Sequence, residues 1–255
     1  MDVVSANSRK GAVSSTLSGP HLPERFSSLV AFLKRPRLPE RATGVGLVGL
    51  YGVGRLYLID LLAMCALGIM ALLAVALGVE FPENQLDAIE LTPGWIALIV
   101  LGAPLMEELL FRSWLSGRPG HVGGALALGA GVAGGGVLTQ SHDVAAVGLL
   151  AVGLVLAAVL IFVLRRHGPM RWFAFLFPAI FWIVTALFAA VHMFNYTEGS
   201  LAMLLPLVVP QFIAGALFGY ARVQYGLWAA ILLHALHNGS AVLLILLLGD
   251  AMPGG

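Results

Sequence analysis

Charge is scarce in this chain. Only 11% of its 255 residues are Asp, Glu, Lys or Arg, against roughly 25% in a soluble domain. So few charges cannot cover a globule of this size, which excludes a water-soluble fold, and the strongly apolar composition excludes a disordered chain. The net charge of +1 offers no basic field to a phosphate backbone, so nucleic acid is excluded as a partner. A single cysteine, Cys65, excludes an internal disulfide framework and any Cys-rich metal site; it reads as a small apolar residue of a buried helix. What is abundant is apolar: 59% of the residues are hydrophobic. These proportions describe an integral membrane protein, expected to be all-α and polytopic with a buried polar cavity.

About 20 apolar residues carry a helix across the hydrocarbon core. Seven stretches qualify, at roughly 56–79, 93–117, 122–138, 144–164, 173–195, 201–221 and 226–248. The third is short and Gly-rich. Its Gly131 and Gly135 form a GxxxG pair, which favours close helix packing over a re-entrant loop. The first 24 residues are polar, Ser-rich and without an apolar h-region. They are not a cleavable signal peptide and are expected to form a disordered cytoplasmic tail. Residues 25–55 carry Arg25, Lys34, Arg35, Arg37, Arg41 and Arg55 among apolar residues, the pattern of an interfacial amphipathic segment. Residues 56–250 then form one transmembrane domain.

Basic loops stay on the cytoplasmic side. Arg118, Arg165, Arg166, Arg171 and Arg222 fall in alternate loops, and the remaining loops carry Glu80, Glu83, Asp87, Glu90, Asp143 and Glu198. Seven crossings with the N-terminus inside and the C-terminus outside satisfy this alternation. The short loops and Ala-, Gly- and Leu-rich spans have a bacterial character, which makes a bacterial cytoplasmic membrane the expected location.

Ionisable residues within a span are costly and functional by default. The second span contains Glu107-Glu108-Leu109-Leu110-Phe111-Arg112. Glu108 and Arg112 stand four apart on one helix face and are expected to form an ion pair. Glu107 lies about 100° away around the helix, without a local partner and free to act on water. Pro104, just before it, removes one helical hydrogen bond. In the fifth span Phe188 and His192 share a face, so the ring can pack beside the imidazole. In the seventh, His234 and Asn238 share a face and His237 lies one turn away. A structural network or an interhelical clamp would use the same residue types.

Glu, His, His and Asn on three helices support two chemistries. In one, Glu107 deprotonates water with help from His192, while His234 and Asn238 donate to an oxyanion. In the other, Glu107, His192 and His234 bind Zn²⁺ and leave a position open for water. Both yield hydrolysis of a peptide bond in or near the membrane. Competing machinery is missing: there is no HExxH helix, no GxSxG elbow, and only Asp60 among the aspartates sits well inside a span.

These residues resemble the CPBP family, which joins the type II CAAX prenyl endopeptidases to bacteriocin-processing and immunity proteases. Its EExxxR motif matches Glu107, Glu108 and Arg112; its FxxxH motif matches Phe188 and His192; its HxxxN motif matches His234 and Asn238. Gly215, Gly219 and Leu227-Trp228 lie in similar surroundings. The resemblance implies that Glu107 and His192 activate water and that His234 and Asn238 support catalysis, with Glu108, Arg112, Phe188 and His237 in supporting places. It implies a membrane-associated peptide or protein as substrate, a CAAX protein or a bacterial peptide precursor, and a metalloprotease or a glutamate-type mechanism. A non-enzymatic scaffold or immunity protein is the alternative, and a small transporter the next. The oligomeric state is not legible.

Two features set expectations for the fold. The gap from Arg112 to Phe188 holds two extra spans. A fifth span starting at Arg171 would place His192 far in depth from Glu107, so that helix is expected to start near Pro178, with residues 171–177 lying in the interface.

Overall fold

The computed structural model describes residues 26–39, 41–138 and 143–249; the tail expected over 1–24 lies outside them. Every regular element among these residues is helical, apart from one isolated antiparallel bridge between Asn84 and Tyr196. Six helices are long and apolar enough to cross a membrane, or seven if the bent pair Leu201–Leu207 and Val209–Gln224 is one span. The protein is therefore an all-α, polytopic integral membrane protein.

Helix α1 (Phe26–Lys34) buries Leu29 and Phe32. Phe32 meets the edges of Phe181 and Tyr220 at centroid distances of 5.2 and 5.0 Å. This short basic helix thus lays its apolar face on the bundle. Helix α2 (Leu47–Ala76) begins well before position 56. Its buried residues, Gly49, Gly52, Val53, Leu56 and Asp60, repeat every three or four positions, one stripe of a 3.6-residue helix. The rest of the helix is half-buried or exposed, and Cys65 is among the exposed residues. The expectation that Cys65 is buried was therefore wrong: it lies off the stripe, on a face suited to lipid.

The second crossing is broken in register rather than in direction. Thr92 accepts a hydrogen bond from Trp95 N and starts α3 (Pro93–Ala97), with Pro93 at the position where no N–H is needed. A π-helical turn, Leu98–Gly102, follows, then α4 (Ala103–Phe111) and a 3₁₀ turn, Ser113–Ser116. In the π turn the Ala103 N–H reaches the Leu98 carbonyl instead of that of Ile99. Pro104 has no N–H to replace it, so the helix leaves Ile99 C=O without a donor of its own.

Helices α5 (Pro119–Leu138) and α6 (Asp143–Val163) form a hairpin, and α6 packs chiefly on α5. A Cβ at Gly131 would lie 3.1 Å from the Leu149 carbonyl oxygen, and one at Gly153 would lie 2.8 Å from that of Ala127. The Gly-rich span is a full helix whose backbone meets that of its neighbour.

Helix α7 runs unbroken over Arg171–Val191 with Pro178 inside it, and a 3₁₀ turn, His192–Asn195, extends it. This corrects the expected start near Pro178. The 171–177 segment is held in the helix by its rings: Phe173 and Phe177 are fully buried with Phe181 and Phe188, and Phe173 meets Trp114 at 6.0 Å. Helices α8 (Leu201–Leu207) and α9 (Val209–Gln224) are bent by 48° at Val208. Helix α9 is central: every residue of Ala214–Val223 is buried. A Cβ at Gly215 would lie 2.9 Å from Phe188, and one at Gly219 would lie 2.8 Å from Phe181. These two glycines let α9 lie against the rings of α7. Helix α10 (Leu227–Gly249) closes the bundle against α9, α2 and α4.

Candidate active site

Glu108, fully buried, accepts from Arg112 Nη1 at 2.6 Å within α4. The same oxygen accepts from His234 Nδ1 of α10 at 2.9 Å. Arg112 is 1% exposed, and its guanidinium stands 3.8 Å from the centre of the Phe188 ring. A cation over an aromatic face is stabilised by the ring quadrupole. The Glu108–Arg112 pair thus fastens α4 to α7 and α10 at once.

Glu107 is on another face and takes no part in that pair. Its Oε2 is buried and has no hydrogen-bond partner among the described residues. This oxygen lies 3.9 Å from His192 Nε2 and 3.9 Å from His234 Nε2. Both rings are held from behind. His192 Nδ1–H donates to Phe188 C=O at 2.7 Å, and His234 Nδ1–H donates to Glu108. With the hydrogen on Nδ1, a neutral ring offers its Nε2 lone pair to the front. His234 also stacks on Phe218 at 4.4 Å. His192 follows the last turn of α7, and the separation from Glu107 shows that the two helices meet there despite the unbroken α7.

Asn238 is tied to the broken register of the second crossing. Its Nδ2 donates to Ile99 C=O at 2.8 Å, the carbonyl left over by the π turn and Pro104. One amide hydrogen of Asn238 thus locks α10 to α3 and α4, and the other is left for further contacts. His237 belongs to a second pair: its Nδ1 donates to Asp60 Oδ2 at 2.8 Å. Asp60 is fully buried, and its Oδ1 has no partner among the described residues.

Glu107, Phe188, His192, His234, His237 and Asn238 all line one cavity of about 470 Å³. Glu108 and Arg112 stand behind its wall. Asn84, Leu86 and Leu91 from the loop before α3, and Asn195 after α7, line it too. That loop is tied across by Gln85 Nε2 donating to Phe194 C=O at 3.3 Å and by Thr197 N donating to Glu83 C=O at 3.3 Å. Gln211 also lines the cavity, with a buried Oε1 that has no hydrogen-bond partner among the described residues. Sequence reasoning assigned no role to Asp60 or Gln211. The available signal was the same for each, a polar side chain within an apolar span.

The donor types for zinc are present in Glu107, His192 and His234. Their spacing is not that of a closed site: tetrahedral Zn²⁺ bonds of about 2.0–2.1 Å put ligand atoms about 3.3 Å apart, against 3.9 Å here. Among the described residues, no three His, Cys, Asp or Glu side chains are drawn together closely enough to hold a metal ion.

A polytopic helix bundle that gathers a carboxylate and two imidazoles around one buried cavity belongs among membrane proteins with a chemical site inside the bundle. The family model for type II CAAX prenyl endopeptidase Rce1-like proteins matches residues 89–240, and the chain belongs to that family, a family of proteases. The match spans Glu107, His192, His234 and Asn238 and ends at Ser240. No curated protein and no solved structure matches the chain.

Proposed function

We propose that this protein is an intramembrane endopeptidase in which Glu107 activates a water molecule to cleave a membrane-associated peptide or protein. One observation carries the reading: a buried carboxylate oxygen with no hydrogen-bond partner among the described residues lies 3.9 Å from each of two imidazole Nε2 atoms. Such a separation is too long for a direct hydrogen bond and leaves room for a water to bridge at about 2.8 Å from each partner.

The reaction balances on the chain's own groups. Glu107 takes a proton from the water, and His192 Nε2 accepts a second hydrogen bond and orients it. The water oxygen bonds to the peptide carbonyl carbon, and the carbonyl electrons move onto its oxygen. The remaining amide hydrogen of Asn238 is one donor to that oxyanion. His234 is another in its imidazolium form, because its Nδ1–H is engaged by Glu108. The C–N bond then breaks, and the amine leaves with the proton that Glu107 received. In a metal-dependent version, Glu107, His192 and His234 would have to draw closer than the 3.9 Å that separates Glu107 from each imidazole here; Zn²⁺ would then supply a Lewis acid and a more acidic bound water.

The distribution of Lys and Arg supports an N-terminus in the cytoplasm and a C-terminus outside, in a bacterial cytoplasmic membrane. The substrate class is a CAAX-type protein or a bacterial peptide precursor.

Glu107→Gln tests the reading, because it keeps size and hydrogen bonding but removes the base. Cleavage of a reporter peptide by membranes holding the variant should fall on the order of 10²–10⁴-fold, with unchanged accumulation and thermal stability. Full biological activity in this variant would end the protease reading in favour of a scaffold, and full reporter cleavage would remove Glu107 as the base. Loss of cleavage on chelation, restored by Zn²⁺, would assign the metal version; insensitivity, with no metal found by elemental analysis, would assign the metal-free one.

A further inference from the structure

A second cavity, of about 320 Å³, shares no lining residue with the first. Its walls come from five places that the fold brings to one end of the bundle. They are the segment after α1, the 3₁₀ turn after α4, the first turn of α5, Pro169 in the segment before α7, and the last turn of α9. Arg41, Ser116, Arg118, His121 and Arg222 supply its polar lining, and Leu38 is among its apolar residues. Among the described residues no carboxylate lines it.

Arg222 is 7% exposed. Its Nε donates to Arg112 C=O and its Nη2 to Ser113 C=O, both at 2.9 Å. These bonds satisfy the carbonyls at the end of α4 and fix the guanidinium, but they bring no negative charge to it. The side chains of Arg41 and Arg118 have neither a hydrogen bond nor an ion pair among the described residues. Ser116 and His121 are held to each other at 2.7 Å. Arg222 is the buried one of the three, and the carboxylate that acts on it, Glu108, is already engaged by Arg112 and His234. Arg118 sets a like charge against it, and a buried charge is costly unless paired. An anion in the cavity offsets both costs.

We infer that this cavity binds a phosphate group, of the kind carried by an anionic phospholipid headgroup. Guanidinium forks match phosphate oxygens in geometry and charge. The cavity lies where helices end, the level at which the headgroups of a leaflet lie. Its apolar residues Leu38, Pro39 and Pro169 suit the glycerol portion of a lipid. Binding there ties together the segment after α1, α5 and α9, and it does so whether or not the chain hydrolyses peptides.

The test uses the full chain purified in detergent, with Arg222 left intact because it caps α4. Thermal unfolding and lipid retention in native mass spectra are compared after adding phosphatidylglycerol, phosphatidylcholine or inorganic phosphate. Phosphatidylglycerol should be retained and should raise the melting temperature, and phosphatidylcholine should do neither. The Arg41→Ala/Arg118→Ala variant should melt like the parent without lipid and bind phosphatidylglycerol about tenfold more weakly, as expected for lost charge-assisted bonds. If that variant does not accumulate, Arg118→Gln carries the same comparison. A rise with inorganic phosphate alone, lost in the variant, would keep the phosphate site and assign it to the free ion. Equal response of parent and variant to all three additions would overturn the inference.

Discussion

Helices α5 and α6 meet glycine to backbone, whereas α7 and α9 meet ring to glycine. In the first pair Gly131 and Gly153 bring two main chains together, and little else touches α6. In the second pair Gly215 and Gly219 receive Phe188 and Phe181, and the Phe188 ring also packs on Arg112, His192 and His234. Both are small-residue contacts of the kind that stabilises helices in lipid. The difference lies in what each contact positions. The hairpin holds itself together at the edge of the bundle. The α7–α9 contact sets Phe188, whose main-chain carbonyl holds His192 and whose ring face holds Arg112. A site built in lipid therefore depends on packing that is shared between structure and chemistry, and the hairpin is the control for packing that is not.

The largest effect is expected at the shared ion pair. Glu108→Gln strands the buried Arg112 charge, at a cost of about 3–5 kcal/mol. Accumulation in membranes and the melting temperature in detergent should both fall, and cleavage should fall with them, in contrast to Glu107→Gln. Normal accumulation would show that Arg112 has another counter-charge.

Gly215→Leu comes next. Its first added atom already meets Phe188 at 2.9 Å, and overpacking of this kind costs about 1–3 kcal/mol. Because Phe188 moves with His192, cleavage per folded molecule should drop about 10²-fold, the scale of a 1 Å misplacement. Gly153→Leu meets a backbone oxygen at 2.8 Å and should cost a similar 1–3 kcal/mol. Here cleavage per folded molecule should stay unchanged. A reporter assay normalised to folded protein separates the two variants, and a dead Gly153→Leu enzyme would place the hairpin inside the working site.

The smallest effect is expected at Asp60→Asn. It replaces a charge-assisted bond to His237 with a neutral one, a loss of about 1 kcal/mol. The melting temperature should shift slightly and cleavage should fall only modestly. A loss as large as that of Glu107→Gln would make Asp60 part of the chemistry.

The legible part of the fold was the part written in composition and local period. Low charge and long apolar runs imply crossings whatever the packing, because backbone in lipid must bond within its own helix. The Glu108–Arg112 pair was legible because an i,i+4 spacing places two side chains on one face of any helix. The start of α7 was not. Pro178 resembles a helix start, yet buried Phe173 and Phe177 keep the preceding turns helical, and that burial depends on Trp114 and the other neighbours. Cys65 was misread for the same reason, since which face of α2 is covered depends on where α9 and α10 lie.

Sequence alone determined that this chain is a helical membrane protein, that its carboxylates and imidazoles lie on α4, α7 and α10, and which carboxylate pairs within its own helix. Only the tertiary structure decided that one buried Glu107 oxygen stands 3.9 Å from both Nε2 atoms. Only it decided that Asn238 meets the carbonyl freed at Ile99, and that Asp60 holds His237. The physical reason is that helical period fixes the angle between residues on one helix. The rotation and depth of one helix against another are set by side chains such as Phe188 and Gly215, far apart in the chain.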